Sequence, residues 1–301
     1  MCATIETEKL TKTYGKNRGI RGVDLTVDEG EVFGFLGPNG AGKTTTIRAL
    51  LGFLRPSDGR AWVFGMDIRK KSVEIRERVG NLPGEFALED RMTGEEFLRY
   101  FGRLRGVGDL DHAWELAERL EADLHRPMRR LSRGNKQKIG LIQAMFHKPP
   151  LLVLDEPTGG LDPLVQEEFL EIVDEVKAEG RTVFLSSHVL SEVERVCDRV
   201  GIIRDGELVE VEPTDQLTNK AFRHVSLTFD RPVDPKPFAA LPGVQGLSAE
   251  GTRLSFTLYD NLDEMIKLAA RSRLVNMEYE RPSLEEVFLT FYGEGENGGE
   301  R

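Results

Sequence analysis

One stretch of this sequence has the residue types and the spacing to hold a triphosphate. Gly37-Pro38-Asn39-Gly40-Ala41-Gly42-Lys43-Thr44-Thr45 satisfies the pattern GxxxxGK[ST]. Glycines let a backbone wrap closely enough to aim several N–H groups at phosphate oxygens, and a following helix N-terminus adds positive potential. Lys43 is placed to reach the β- and γ-phosphates, and Thr44 to set its hydroxyl on Mg2+. An ordinary glycine turn would account for Gly37, Gly40 and Gly42 but leaves the Lys43-Thr44 pair unexplained. Such a site needs a second carboxylate on the metal and, for hydrolysis, a group that activates water. The apolar run Leu151 to Leu154 ends in Asp155-Glu156, which supplies both: Asp155 as the Mg2+ ligand and Glu156 as the polariser of water. Two carboxylates after an apolar run are by themselves more often a helix cap or a solvated turn. Their weight comes from sharing the chain with the glycine loop.

These groups need elements to carry them. The apolar run Val32 to Leu36 reads as a buried strand that ends in the loop. Beyond it, Ile47, Leu50, Leu51 and Leu54 recur at helical spacing until Pro56. Residues 4–36 as a whole read as short strands with turns. Residues 86–147 have a helical texture, with Phe97, Leu98, Phe101 and Leu104 on one face. Strand patterns resume at Leu151 to Leu154 and Thr182 to Leu185 around a helical segment, Pro163 to Ala178, and Val200 to Ile203 leads into an Asp205-Gly206 turn. Strands alternating with helices predict an α/β layer architecture with a largely parallel sheet. From about Phe222 the texture changes. Val225, Leu227 and Phe229 alternate, as do Leu254, Phe256 and Leu258, with a proline-rich stretch between them. A helix around Leu262 to Arg271, a strand at Leu274 to Met277 and a helix containing Leu284, Val287, Phe288 and Leu289 follow. The expected organisation is a nucleotide-binding domain over 1–215 with a helical subdomain at about 86–147, a small α+β domain over 216–292, and a disordered tail at 293–301.

Three further segments discriminate among phosphate-loop proteins: Leu131-Ser132-Arg133-Gly134-Asn135, Thr158-Gly159-Gly160-Leu161-Asp162-Pro163, and Leu185-Ser186-Ser187-His188. In this order and spacing the chain resembles the nucleotide-binding subunits of ABC transporters over about residues 3–215. The resemblance implies a P-loop NTPase fold, mixed or parallel in its sheet, and ATP and Mg2+ as substrate and cofactor. By residue-level match, LSRGN is a variant of the family signature LSGGQ that keeps Ser132 and Gly134. Tyr14 sits where the family stacks an aromatic on adenine, Asp162 is the D-loop aspartate, and His188 the switch histidine at the γ-phosphate. One position departs from the pattern: where the family has a glutamine that senses Mg2+ and water, this chain has Gly84, with Asn81 and Glu85 as nearby polar groups.

In the family, the signature segment of one subunit closes over ATP held by the other. The resemblance therefore implies a head-to-tail homodimer in which each copy contributes Lys43 to one nucleotide and Ser132 to the other. The cluster Arg126, Arg129, Arg130, Arg133, Lys136 and Lys138, free of acidic residues, reads as a nucleic-acid patch or a solvated helix start; because it surrounds LSRGN, the resemblance favours a third reading, in which it faces the partner's triphosphate.

Composition bounds the rest. The chain has 301 residues, a formal charge of −10 and two cysteines, Cys2 and Cys197, too far apart for a metal or redox pair. Its acidity argues against nucleic acid as the main partner. His112, His125, His147 and His224 have no ligand spacing. No apolar run approaches the roughly 18 residues of a membrane span, and no secretory signal is present. The expectation is a cytoplasmic subunit, peripheral on the inner face of the membrane, that powers a separately encoded integral membrane permease, in the manner of bacterial exporters. The alternative, a soluble ABC-type ATPase acting on nucleic acid, ribosomes or protein complexes, lacks support: there is one loop, one signature and no sustained heptad repeat. A phosphotransferase or GTP switch would leave LSRGN and His188 without a purpose.

Overall fold

Alternating apolar residues build the first sheet. Strand β1 (Ala3–Tyr14) and β2 (Arg18–Asp28) pair antiparallel, and β1 also pairs with β4 (Asp58–Val63), which pairs with β5 (Met66–Asp67), giving the order β2-β1-β4-β5. The computed structural model describes residues 3–15, 18–84, 91–220, 222–283 and 285–287. Within 4–36 lie three strands of 12, 11 and 5 residues with turns at Gly15 and Glu29–Gly30, the first two longer than the short strands expected and paired through register shifts.

Largely apolar strands build the centre of the second sheet, where β3, β7 and β8 are buried along their whole length, and the half-exposed β10 closes one edge. Its members are β3 (Val32–Leu36), β6 (Val79–Leu82), β7 (Leu151–Asp155), β8 (Thr182–Ser187), β9 (Arg199–Arg204) and β10 (Glu207–Pro213), in the order β10-β9-β3-β8-β7-β6. The pairs β9-β3, β3-β8, β8-β7 and β7-β6 are parallel. Asp205 and Gly206, both at positive φ (51° and 84°), turn β9 into β10 as a two-residue hairpin demands. Helix α1 (Lys43–Leu50) lies among the residues joining the two sheets into one core, in which Ile5, Val23, Phe35 and Phe184 are fully or nearly fully buried. Phe184 stacks on Phe33 at 5.8 Å and tilts against Phe35 at 5.4 Å.

Helix α1 stops at Leu50, earlier than the Ile47-to-Leu54 periodicity predicts. The cause is Gly52 at φ 69°: Phe53 N–H bonds Arg48 O at 2.8 Å and Gly52 N–H bonds Ala49 O at 3.0 Å, the paired bonds of a Schellman cap. Pro56 lies outside the helix altogether. After α2 (Ser72–Glu77) and β6 come α3 (Gly94–Leu104), α4 (Asp111–Arg119) and α5 (Arg133–Met145). Thr93 and Glu96 form a capping box at the start of α3. Arg119 ties this helical region to α6 (Pro163–Ala178), donating to Glu168 at 2.6 Å and bidentately to Glu175 at 2.7 and 2.8 Å. Helix α7 (Leu190–Val196) follows β8. No helix among the described residues is long and apolar enough to cross a membrane.

The chain divides into two compact units, Met1–Glu212 and Pro213–Arg301. The second opens with α8 (Thr214–Lys220) and continues as β11 (Arg223–Phe229), α9 (Lys236–Ala239), β12 (Val244–Glu250), β13 (Arg253–Leu258), α10 (Leu262–Ala269) and β14 (Leu274–Glu280). Its antiparallel sheet has the order β12-β13-β11-β14, so the unit is a βαββαβ split arrangement. Val225, Leu227, Phe229, Phe256 and Met265 form its core. Strand β12 and helix α9, both inside or beside the proline-rich stretch, are elements the sequence pattern does not disclose. Leu284, Phe288, Leu289 and the expected tail at 293–301 lie outside the described residues.

Candidate active site

The phosphate loop leaves β3 at Gly37 and enters α1 at Lys43. Its tightest point is Gly37, where a Cβ would stand 2.4 Å from Ile203 O, and Gly42, at φ 116°, would put one 2.7 Å from Ile20 Cγ2 in a conformation that favours glycine. Lys43, only 6% exposed, donates through Nζ to Gly37 O at 2.5 Å and lies 3.1 Å from Glu156 Oε1. Thr44 Oγ1 donates to Asp155 Oδ2 at 2.7 Å, and Ser186 Oγ donates to Asp155 Oδ1 at 2.5 Å. A carboxylate that is 1% exposed is thereby held by two hydroxyls, one from each neighbouring element. The sequence reading had no signal for Ser186, whose role follows from the in-register pairing of Asp155 with Ser186 across β7 and β8.

Thr44 and Asp155 are hard oxygen donors suited to Mg2+, which takes one or two protein oxygens and completes its octahedron with phosphate and water. Gly84 borders the same carboxylate, since a Cβ there would lie 3.1 Å from Asp155 Oδ2. Asn81 sits in β6 with its Oδ1 buried and without a hydrogen-bond partner among the described residues; Glu85 lies outside them.

Glu156 adopts φ 52°, a left-handed conformation that non-glycine residues rarely hold. Several bonds impose it. Its N–H donates to Ser186 O at 3.1 Å, and Gln137 Nε2 donates to Glu156 O at 3.0 Å and Pro157 O at 2.9 Å. The carboxylate thus faces His188, whose Nδ1 is 2.5 Å from Glu156 Oε2. Behind this pair, Glu192 Oε2 accepts from Thr158 Oγ1 at 2.8 Å, and burial pushes its carboxyl above the usual range. Gln137 and Glu192 are further residues that pattern reading misses.

A cavity of 930 Å³ is lined by the loop from Pro38 to Thr45, by Glu156, and by Tyr14, Arg21 and Asp205. Tyr14 is 44% exposed, with Lys12 Nζ over its ring at 5.3 Å from the centroid. The Asp205-Gly206 turn braces the loop: Gly206 N–H bonds Ala41 O at 3.0 Å, Arg21 N–H bonds Gly206 O at 2.7 Å, and the Arg21 guanidinium bonds Asp205 O at 3.1 Å.

Thus Tyr14, Gly37, Pro38, Asn39, Gly40, Ala41, Gly42, Lys43, Thr44, Thr45, Asp155, Glu156 and His188 come together, whereas Ser132, Gly134 and Asp162 are not in the cavity lining. Ser132 caps α5 by accepting Asn135 N–H at 3.2 Å, and Asp162 caps α6 by accepting Val165 N–H at 3.2 Å. A Cβ on Gly134 would meet Gly160 O at 2.3 Å, so this glycine lets the signature helix lie against the loop after Glu156. Asn135 turns inward: its side chain accepts from Asp123 N at 2.7 Å and donates to Asp123 O at 2.9 Å. The basic strip is narrower than its composition suggests. Arg126 pairs with Asp123, and Lys138 lies 3.7 Å from Asp162, while Arg129, Arg130 and Arg133 are exposed.

A family model described as "ABC transporter" matches residues 20–159. The chain is 38% identical over 227 residues to the bacitracin transport ATP-binding protein BcrA of Bacillus licheniformis, covering 73% of each chain. It is 35% identical over 221 residues to the linearmycin resistance ATP-binding protein LnrL of Bacillus subtilis, covering 72% of this chain and 71% of that one. A dimeric ATP-binding cassette solved in a post-hydrolysis state with ADP and Pi shares the fold, with a TM-score of 0.64 at 22% identity over 70% of this chain and 98% of the other. With the loop, the Asp155-Glu156 pair, the signature helix and His188 in one unit, the chain belongs to the ABC transporter family, among its ATP-binding, ATP-hydrolysing subunits.

Proposed function

We propose that this chain powers a separately encoded membrane permease, as the ATPase of an exporter, through ATP-driven closure of a homodimer. The observation that carries the hydrolytic reading is the Lys43–Glu156–His188 cluster beside the Thr44–Asp155 pair. The loop amides and Lys43 would bind the triphosphate, and its negative charge would compete with Glu156 for Lys43. Glu156 then faces the water that attacks the γ-phosphorus and accepts its proton, while His188 orients the carboxylate and contacts the γ-phosphate. Mg2+ held by Thr44 and Asp155 would neutralise charge developing on the β- and γ-phosphate oxygens. Tyr14 would stack on adenine.

Ser132, Gly134 and Asp162 lie outside the cavity of their own subunit, and this is why a second copy enters the reading. In a two-fold dimer each signature helix would meet the nucleotide of the partner, and the exposed Arg129, Arg130 and Arg133 would favour its triphosphate. The dimeric state of the related cassette supports this arrangement. Bacitracin transport and linearmycin resistance, in the names of BcrA and LnrL, support export of an antibiotic-like compound. The subunit would work on the cytoplasmic face of the membrane. The βαββαβ unit is an accessory domain of the same subunit.

The test is co-purification with a polytopic membrane protein encoded beside this chain, and reconstitution of the pair into vesicles. ATP-dependent movement of a compound across the bilayer, abolished by Lys43→Ala, supports the proposal. Failure to retain the membrane protein in any detergent, or ATP hydrolysis by the reconstituted pair with no compound moved across the bilayer, would overturn it.

A further inference from the structure

We propose that Glu192 is a positioning residue for hydrolysis, bracing the loop that bears Glu156 against the loop that bears His188. The inference rests on the reading of Glu156 and His188 as the hydrolytic pair. Glu192 lies on α7 and is 8% exposed. A single carboxylate oxygen, Oε2, accepts from Thr158 Oγ1 at 2.8 Å and lies 3.4 Å from Ser187 Oγ. Thr158 is two residues beyond Glu156, and Ser187 immediately precedes His188. Ser187 Oγ also accepts Val189 N–H at 2.9 Å, which fixes the backbone on the far side of His188. One buried oxygen therefore joins the two loops whose side chains meet at 2.5 Å.

The choice of residue argues that this joint does more than fill space. A carboxylate is costly to bury, and here burial raises the Glu192 pKa despite two hydroxyl neighbours. Among the described residues it has no ion-pair partner that would offset the cost. A leucine or methionine would pack the base of α7 without that penalty, but could not hold Thr158 and Ser187 at once. The contact between Glu156 and His188 needs such a hold, because Glu156 sits in a strained conformation and His188 is on an exposed loop.

The experiment measures ATP hydrolysis by the full chain carrying Glu192→Ala, Glu192→Gln, His188→Ala, and Glu192→Ala combined with His188→Ala. Glu192→Ala is expected to lower kcat about tenfold with KM for ATP within about twofold of wild type. Glu192→Gln, whose carbonyl oxygen still accepts from Thr158, should keep at least about half of kcat. In the His188→Ala background, Glu192→Ala should cost no further rate, since it acts through the contact already lost. An equal loss in both backgrounds would mean a general packing role and would overturn the brace, as would an unchanged kcat in Glu192→Ala beside a slow His188→Ala. Wild-type hydrolysis by His188→Ala would instead refute the reading of the hydrolytic pair. If Glu192→Ala does not fold, Thr158→Val cuts the other arm of the brace and should reproduce the tenfold loss; a wild-type rate there overturns the proposal.

Discussion

Replacing Glu156 by glutamine separates the two jobs its carboxylate performs. Gln keeps the shape, and the backbone bonds to Ser186 and Gln137 that hold φ at 52° are untouched. It cannot accept a proton, so kcat should fall by about 10² to 10⁴, or roughly 3 to 5 kcal/mol of barrier. Binding should move the other way. In the wild type, Lys43 Nζ lies 3.1 Å from Glu156 Oε1, an attraction of about 5 kcal/mol at an effective dielectric of ~20 before desolvation is subtracted. Phosphate must compete with that attraction. Gln removes most of it, while Gly37 O continues to hold the lysine in place. Affinity for ATP should therefore be unchanged or several-fold tighter. Phosphate release measures the first effect and titration with a fluorescent nucleotide the second. A variant whose kcat stays within threefold of wild type, or whose ATP affinity drops more than tenfold, would refute this assignment of Glu156.

Other perturbations follow from the same geometry. Gly134→Ala forces a methyl group within 2.3 Å of Gly160 O, so the signature helix and the loop must separate; hydrolysis should fall severely at a stability cost of about 1 to 3 kcal/mol, and a wild-type rate would show that this contact is dispensable. Phe184→Ala empties the centre of the Phe33–Phe35–Phe184 cluster and should cost about 3 to 5 kcal/mol in urea unfolding. His147 has its pKa lowered to about 3, by burial first and by Arg105 and Arg181 next. The unfolded chain therefore binds more protons than the folded one between about pH 6.5 and 3, and stability falls as pH drops through that window. His147→Phe should flatten the decline by up to about 1.4 kcal/mol per pH unit; parallel curves for the two proteins would refute the assignment.

Much of the site was legible because its chemistry is local in sequence. The loop from Gly37 to Thr44, the carboxylates closing β7, and Asp162-Pro163 opening α6 each combine a motif with the boundary of an element, and α6 runs from Pro163 to Ala178 as its periodicity predicts. What escaped is tertiary. Ser186 meets Asp155 only through strand register, and Gln137 reaches Glu156 O across 19 residues of sequence. Glu192 is an unremarkable acidic residue until its burial is known. Asn135, conspicuous in sequence as a departure from the signature, proves to be an anchor on Asp123. Charge counting overstated the basic strip because Asp123 and Asp162, though outside the counted segment, approach Arg126 and Lys138 in space. In the fold, α1 was drawn too long because the hydrophobic period continues past Gly52, where the backbone has already turned left-handed. Strand β12 was missed because only Val244 and Leu247 of its apolar residues are packed on the core.

The central claim is that a complete hydrolytic site takes Lys43 from one copy and Ser132 from another. It is tested most directly by mixing two inactive variants, Lys43→Ala and Ser132→Arg. Each homodimer has two defective sites, whereas a mixed dimer joins the intact Lys43 of one copy to the intact Ser132 of the other. The account predicts that the mixture hydrolyses ATP at up to about a quarter of the wild-type rate, since half the dimers are mixed and each has one complete site. A mixture no faster than the two variants measured separately would contradict it.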